Sequence, residues 1–516
     1  MSHRLGLCLA LIIACAAAAA FPPMWPAPMA FTNGTSSVLV DSTKFAMTTT
    51  CKTSADLSDG FARFLSRAFP HKAGPTGVPG LKSISVCLVK ESEPLELYMN
   101  ENYTLTITAT SITVHCGAVY GCYHALETLS QLIWFNFDTM TYGISHVPWV
   151  ITDGPRFPHR GLLIDSSRHF LPVPTIKRII ESVTYAKINA IHWHIVDAIA
   201  FPFDSPTYPQ LGKMGAYSAQ ERFTAGDVAE VVEFARKRGI RVMVELDTPG
   251  HSGSMCYGMP SICPNPLCSS SNINNWALDN TKNLTYTVVG GVLADLAKLF
   301  PEQMTHLGGD EVDTDCWAAH PYIMEWLSQR GLSLNGGYEY YVKRVQAIAW
   351  ALNRTVVGWQ EIWEHFGTSL DKRTIIHQWL ANSYSLPLNV TSHGYRLIWS
   401  DSSRWYLDHL SVTWQQMYDA EPCNNLPDAN CKLILGGEGC QWGETVDTSD
   451  AEQTIWPRLG AIAERLWSPR SYTSATAESR FIGFRCLLNR RSVAAAPALN
   501  AVARTAPSGP GSCFDQ

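Results

Sequence analysis

Short apolar runs recur along the last two-thirds of the chain, each closed by a polar or aromatic residue. Eight are legible: HRGLLIDSSR (159–168), AIHWHIVD (190–197), IRVMVELDTPGH (240–251), QMTHLGGDE (303–311), TVVGWQE (355–361), TIIHQWL (374–380), YRLIWSD (395–401) and LILGGEGCQWGE (433–444). Runs this short and this continuously apolar suit strands buried on both faces. Between several of them lie stretches with a helical period, such as VPTIKRIIESVTYAKI (173–188) and AGDVAEVVEFARKRG (225–239). Eight strand–helix repeats without mutual similarity predict an α/β fold, a (β/α)8 TIM barrel. An open doubly wound sheet is the rival, but no Gly-x-Gly-x-x-Gly follows the first run.

The pattern before residue 155 differs. LKSISVCLVK (81–90) and ENYTLTITATSITVHC (101–116) alternate in the manner of half-buried strands, and AVYGCYHALETLSQLIWF (118–135) has a helical period. The proline-rich ITDGPRFPHR (151–160) marks a boundary. The chain therefore divides into a signal peptide (1–20), a small α+β domain (21–155) and the barrel (156–516).

The first segment, MSHRLGLCLALIIACAAAAAF, has a short basic start, an apolar run and Ala-x-Ala sites up to Ala20. The run is short for a membrane span and half of it is alanine, so cleavage is expected. No second long apolar run exists, and a soluble mature protein in the secretory pathway, lysosomal or secreted, is predicted. Sequons at Asn33, Asn102, Asn283, Asn353 and Asn389 agree with that route. Of 15 cysteines, Cys8 and Cys15 leave with the signal; the odd remainder should mostly pair, with at least one free. Cys256, Cys263, Cys268 and Cys316 match no compact zinc spacing, so disulfides are preferred over a metal there. A net charge of −6 and scattered Lys and Arg, with no basic run longer than the three residues Arg236–Arg238, argue against a phosphate-tracking surface, and no nucleic-acid partner is expected.

Chemistry in a barrel gathers at the C-terminal strand ends. Those ends carry Arg168, Asp197, His251, Asp310, Glu311, Trp359, Trp379 and Trp442. A glutamate beside an imidazole that a second carboxylate holds has the parts of a tuned general acid, so Asp197, His251 and Glu311 should converge. Each alone could be a structural strand-end residue. His192 and His194 share one strand face and could pair on a metal, but no third ligand is identifiable, and neither metal nor cofactor is expected. Most of the 17 tryptophans belong in the core, yet three at successive strand ends would make an apolar cage with Arg168, Asp408 and Glu444 as polar tips. That mix suits the C–H faces and hydroxyl rim of a sugar. From the residues alone the chain reads as a secreted or lysosomal barrel hydrolase acting on carbohydrate.

HRGLLIDSSRHF, NAIHWHIVDA, ELDTPGH, HLGGDEVDTDCW, GWQEIW, WYLD and CQWGETVD resemble the family 20 glycoside hydrolases, the β-N-acetylhexosaminidases of lysosomal type. The resemblance runs from WPAP near residue 25 to Cys513. It implies an exo-acting enzyme that removes terminal β-GlcNAc and β-GalNAc from glycans or glycolipids by a retaining, substrate-assisted reaction. The sugar's own 2-acetamido oxygen would attack the anomeric carbon and form an oxazolinium ring. Carried over position by position, Glu311 is the general acid and base, Asp310 orients the acetamide N–H, and Tyr406 donates to the acetamide oxygen. Asp197 and His251 set the proton affinity of Glu311. Arg168 holds hydroxyls 3 and 4, Asp408 and Glu444 hold 4 and 6, and Trp359, Trp379 and Trp442 enclose the sugar. The same resemblance implies disulfides Cys51–Cys87, Cys268–Cys316 and Cys486–Cys513, with Cys256–Cys263 and Cys423–Cys431 as extras, and a homodimer.

Where animal lysosomal relatives have two consecutive aspartates this chain has Asp197-Ala198, which leaves the support of Arg168 open. Asp408-His409 stands where the subunit type for acidic substrates has Asn-Arg, so neutral sugars are expected. The alternative from another class is a non-catalytic carbohydrate-binding protein on the same barrel; intact acid and acetamide residues argue against it. A chitinase-type barrel would carry Asp-x-x-Asp-x-Asp-x-Glu on one strand, and the chain has no such run.

Overall fold

The computed structural model describes residues 24–74, 80–268, 272–381, 383 and 385–498. The expected signal peptide, 1–20, lies outside the described residues, as does Cys513 of the expected Cys486–Cys513 pair.

Before residue 155, seven strands form one mixed sheet: β1 (Ala30–Val40), β2 (Ala46–Thr49), β3 (Ser83–Leu88), β4 (Tyr103–Ile107), β5 (Ile112–Cys116), β6 (Ile133–Asn136) and β7 (Thr141–Asp153). Their order is β1-β7-β4-β5-β3-β2, with β6 attached to β7. β3, β4 and β5 fall within the runs read as strands. The helix expected over 118–135 instead ends at Leu132, and Ile133–Asn136 pairs antiparallel with β7. Ile133, Trp134 and Phe135 suit a pleated surface, and β7 offers their backbone a ladder that the helix end does not. The helices Ala55–Ala68 and Val119–Leu132 pack on this sheet and also reach the barrel. Arg67 meets Glu181 at 2.5 Å, and Gln131 Nε2 donates to the Trp25 carbonyl at 2.9 Å.

The eight predicted runs become eight parallel strands: β8 (His159–Asp165), β9 (Ala190–Val196), β10 (Arg241–Leu246), β11 (Met304–His306), β12 (Thr355–Trp359), β13 (Ile375–Gln378), β14 (Arg396–Trp399) and β15 (Ile434–Gln441). They pair in sequence order, and β15 closes on β8. Along β9, Ile191, Trp193 and Ile195 join the outer core under the helices, while His192 and His194 turn to carboxylates of other strands inside. That alternation is the strand period of two. The floor of the barrel is Met243, Met304, Val357, Ile375, Ile398 and Leu435, and Leu97 from the small domain packs against it.

Two details depart from the sequence reading. The run 303–311 is a strand only over Met304–His306, and the rest turns. Trp25, expected with the small domain, lies in the barrel's outer core: its Nε1 donates to the Gly460 carbonyl at 2.9 Å, and its ring packs on Phe481 and Phe484. Disulfides join Cys51–Cys87, Cys256–Cys263, Cys268–Cys316 and Cys423–Cys431, and a further one, Cys116–Cys122, was not anticipated. Cys440 is free and buried.

Sheet domain and barrel are joined by buried ions. Asp153 at the end of β7 accepts from Lys187 Nζ at 2.8 Å, Tyr103 Oη at 2.7 Å and Trp467 Nε1 at 2.9 Å. Arg160 grips Glu101 at 2.5 and 3.0 Å. Removing one partner of such a pair strands the other charge out of water. Lys187→Met should therefore lower unfolding stability by about 3–5 kcal/mol in a denaturant titration.

Candidate active site

Asp165, the last residue of β8, organises the loop that follows. Its Oδ1 accepts from the Ser167 and Arg168 amides at 2.9 and 3.1 Å. Its Oδ2 accepts from Arg168 Nη1 and the Gly443 amide, both at 3.0 Å. This carboxylate supports Arg168 where the missing second aspartate left the question open. Ala198 is buried, and its amide donates to Asp197 Oδ1. Arg168 also reaches Asp197 Oδ2 at 2.9 Å, lies 5.0 Å over the Trp442 ring, and is 3.8 Å from Glu444 on the rim.

Asp197 and Glu311 stand on either side of one imidazole. His251 Nδ1 is 3.1 Å from Asp197 Oδ2, and its Nε2 is 3.2 Å from Glu311 Oε2. Burial opposes a charge on His251, but Asp197, Asp310 and Asp247 outweigh it and hold its pKa well above the ordinary value. Glu311 is pulled the other way, first by the His251 hydrogen bond. In the free protein the shared proton therefore sits on His251.

The turn after β11 explains how neighbouring carboxyls reach one pocket. Gly308 has φ +64°, and a Cβ there would lie 1.6 Å from Asp247 Oδ1 and 2.7 Å from its Cα, so only glycine fits. The Gly309 amide consequently donates to Asp247 Oδ1 at 3.0 Å. Glu311 and His251 both take left-handed backbones, φ 48° and 50°. Each such residue costs on the order of 1–3 kcal/mol, held by its surroundings. Asp310 and Glu311 are thus not alternating strand residues.

Asp310 is buried, and its Oδ1 has no hydrogen-bond partner among the described residues. Burial, then the Asp247 charge, push its carboxyl well above the usual range. Burial likewise raises Asp247 to about 7 and, with Asp310, raises Glu361 to about 8. Neither Asp247 nor Glu361 was singled out in the sequence, although both lie inside the quoted strand-end runs. Glu361 accepts from Trp379 Nε1 at 2.8 Å and so fixes that ring.

Aromatic walls complete the mouth. Trp379 stacks toward Tyr406 with centroids 6.4 Å apart, and Trp442 lies 6.1 Å from Tyr406 and 5.9 Å from Trp359. Trp359 is the most buried of these, with Nε1 turned down to Glu245 at 2.8 Å. Burial holds the Tyr406 phenol protonated far into the alkaline range. Asp408 Oδ1 accepts from the Trp442 amide at 3.4 Å, and burial raises its carboxyl to about 6.

The imidazoles weighed as metal ligands have other uses. His192 is 2.9 Å from Glu438 and 3.1 Å from Glu245, while His194 lies between Glu245 and Asp197. Among the described residues three groups of imidazole and carboxylate atoms lie close enough to hold an ion: His192, His377 and Glu438; His192, Glu245 and His306; and Asp197, Asp247 and His251.

A proton donor held by an imidazole, a second carboxyl kept from water and flat aromatic walls meet the demands of cleaving a glycosidic bond, and this class of protein is the glycoside hydrolases. Comparison narrows the class. A family model described as "Glycosyl hydrolase family 20, catalytic domain" matches residues 157–470, and "beta-acetyl hexosaminidase like" matches 24–132. Beta-hexosaminidase 1 of Arabidopsis thaliana is 43% identical, covering 96% of this chain and 94% of that protein. Beta-hexosaminidase subunit beta of Mus musculus is 34% identical, covering 92% of each. The solved chitobiase of Flavobacterium johnsoniae superposes with a TM-score of 0.80 at 26% identity, over 91% of this chain and 73% of that one. The chain belongs to glycosyl hydrolase family 20 and is a glycoside hydrolase of the β-hexosaminidase type.

Asp197→Asn should lower the His251 pKa by about one pH unit or more, since it removes the strongest anion beside the ring. Imidazole NMR titration reads this directly, and an unshifted His251 would remove Asp197 as the cause.

Proposed function

We propose that the enzyme removes terminal non-reducing β-GlcNAc and β-GalNAc with retention of configuration, using the substrate's acetamido group as nucleophile. The observation that carries this is the opposite state of two adjacent carboxyls: Glu311 half-exposed and bonded to His251, Asp310 buried with an oxygen unpartnered. Such an oxygen is suited to an N–H donor that arrives with the substrate. Accepting the acetamide N–H, Asp310 aims the acetamide oxygen at the anomeric carbon and offsets the charge of the oxazolinium. Tyr406, held as a neutral phenol, donates to that same oxygen. Glu311 gives its proton to the glycosidic oxygen as the C–O bond breaks. It then takes a proton from the water that opens the ring, and two displacements at one carbon restore the β configuration.

Arg168, Asp408 and Glu444 would hold the ring hydroxyls between Trp359, Trp379 and Trp442. Asp408 at the 6-position disfavours sulfated or sialylated sugars, more strongly above about pH 6 where burial no longer keeps it protonated. A secretory route is supported by the five disulfides and by the exposure of all five sequon asparagines. No helix among the described residues is long and apolar enough to cross a membrane.

Purified protein should release chromophore from aryl β-GlcNAc and β-GalNAc, with the β anomer formed first by NMR. Glu311→Gln should slow this by about 10²–10⁴-fold. Asp310→Asn should cost about 10²–10³-fold although Asp310 transfers no proton. A wild-type rate for Asp310→Asn would end the substrate-assisted reading, and a protein inert on both sugars that binds chitobiose would be a lectin.

A further inference from the structure

The mechanism leaves unused the ionic layer beneath the pocket. His194 points inward from β9 with a carboxylate at each ring nitrogen: Nδ1 faces Glu245 Oε2, and Nε2 faces Asp197 Oδ2 at 2.8 Å. A neutral imidazole has one N–H and would present a lone pair to one of these anions. Only the imidazolium donates to both.

That charge lands on a contested atom. Asp197 Oδ2 receives His194 at 2.8 Å, Arg168 Nη2 at 2.9 Å and His251 Nδ1 at 3.1 Å. The farthest of the three is the ring that shares a proton with Glu311. The more Asp197 is neutralised from below, the less it holds His251 in its charged form.

We propose that His194, kept cationic by Glu245, is a positioning residue that releases the His251 proton to Glu311. This rests on the function proposed above. The transfer is from His251 Nε2 to Glu311 Oε2, across 3.2 Å. His251 is left neutral with its Nδ1–H on Asp197, and Glu311 becomes the neutral acid that the glycosidic oxygen needs. Substrate drives the same transfer, because covering the half-exposed Glu311 disfavours its charged form.

The other charges around His251 oppose the release. Asp310 Oδ2 is 3.8 Å away, and Asp247, just past the end of β10, adds a further attraction for the ring's proton. Arg168 alone would face all of this. Glu245 is itself anchored by His192 at 3.1 Å and His306 at 3.0 Å, with Trp359 Nε1 donating at 2.8 Å. It is fully buried, and the cations beside it outweigh its desolvation, so it stays a carboxylate.

Two variants test this without touching substrate: His194→Gln, which keeps a polar group but cannot carry charge, and Glu245→Gln, which removes the anion that holds the second proton. The assay is kcat and KM against pH on a phenyl β-GlcNAc and on a dinitrophenyl β-GlcNAc, whose leaving group needs little help from an acid. Expected for both variants is a kcat about tenfold or more lower on the phenyl glycoside near neutrality, partly recovered at lower pH. On the dinitrophenyl glycoside kcat, and on both the KM, should stay within about threefold. Equal losses on the two leaving groups, or none on either, would overturn the proposal. Imidazole nitrogen NMR on the intact wild type needs no variant: a His194 that is neutral near pH 7 overturns it as well. A wild type inactive on both glycosides would instead overturn the function itself.

Discussion

Five imidazoles and two carboxylates fill the middle of the barrel, where each is fully or almost fully buried, and their mutual neutralisation is the constraint the rest obeys. His159 and His192 bracket Glu438 at 2.6 and 2.9 Å, His192 and His306 bracket Glu245, and His377 closes on His306 and Ser400. Any one of these charges unpaired in so dry a place would cost several kcal/mol or more. The pairing therefore fixes protonation states and ring orientations together. Burial and the neighbouring cations leave His159, His306 and His377 below their ordinary pKa, whereas His192 between two carboxylates rises to about 9. A hydrophobic plug of equal volume would give comparable or greater stability, so what this layer contributes is placed charge under the pocket.

On that footing the turn after β11 delivers the chemistry. Adjacent residues of an extended strand could not both address one sugar. Ending the strand at His306 and passing through Gly308, Gly309 and a left-handed Glu311 sets Asp310 inward and Glu311 toward the mouth. The strain is tolerable because Asp247 and Tyr338 tie the Gly309 amide and carbonyl on either side.

The barrel was legible because its strands are buried on both faces, so each appears as an apolar run that ends in chemistry. The residues gathered at the mouth were legible for the same reason. What escaped notice lies inside those very runs. Glu245 and Glu438 are mid-strand, and their signal was their phase: inward positions, like those of His192 and His194. Asp247 and Glu361 sit beside residues with more obvious roles, and their raised proton affinities come from neighbours distant in sequence. In the small domain β6 was hidden in a helical period, because pairing with β7 rather than local preference decides its conformation. Trp25 could not be assigned by position in the chain, since Gly460, Phe481 and Phe484, which hold its ring, lie more than 400 residues away.

The small N-terminal domain has a part in the same electrostatics. Beneath the ionic layer the barrel is closed by six apolar side chains, and Leu97, from outside the barrel, packs on them. Arg241 donates to His159 at 3.0 Å and pairs with Glu302 at 3.2 Å, so the charge compensation extends from the ionic layer to Glu302. Arg160, on the first barrel strand, is held by Glu101 of the small domain. Water admitted there would screen the charges that hold Glu245 and Glu438 as carboxylates and His192 and His194 as cations. The small domain thus packs on the barrel through Leu97 and the buried Arg160–Glu101 pair. In that dry interior a charge on His194 is felt through Asp197 at His251, the imidazole that holds Glu311.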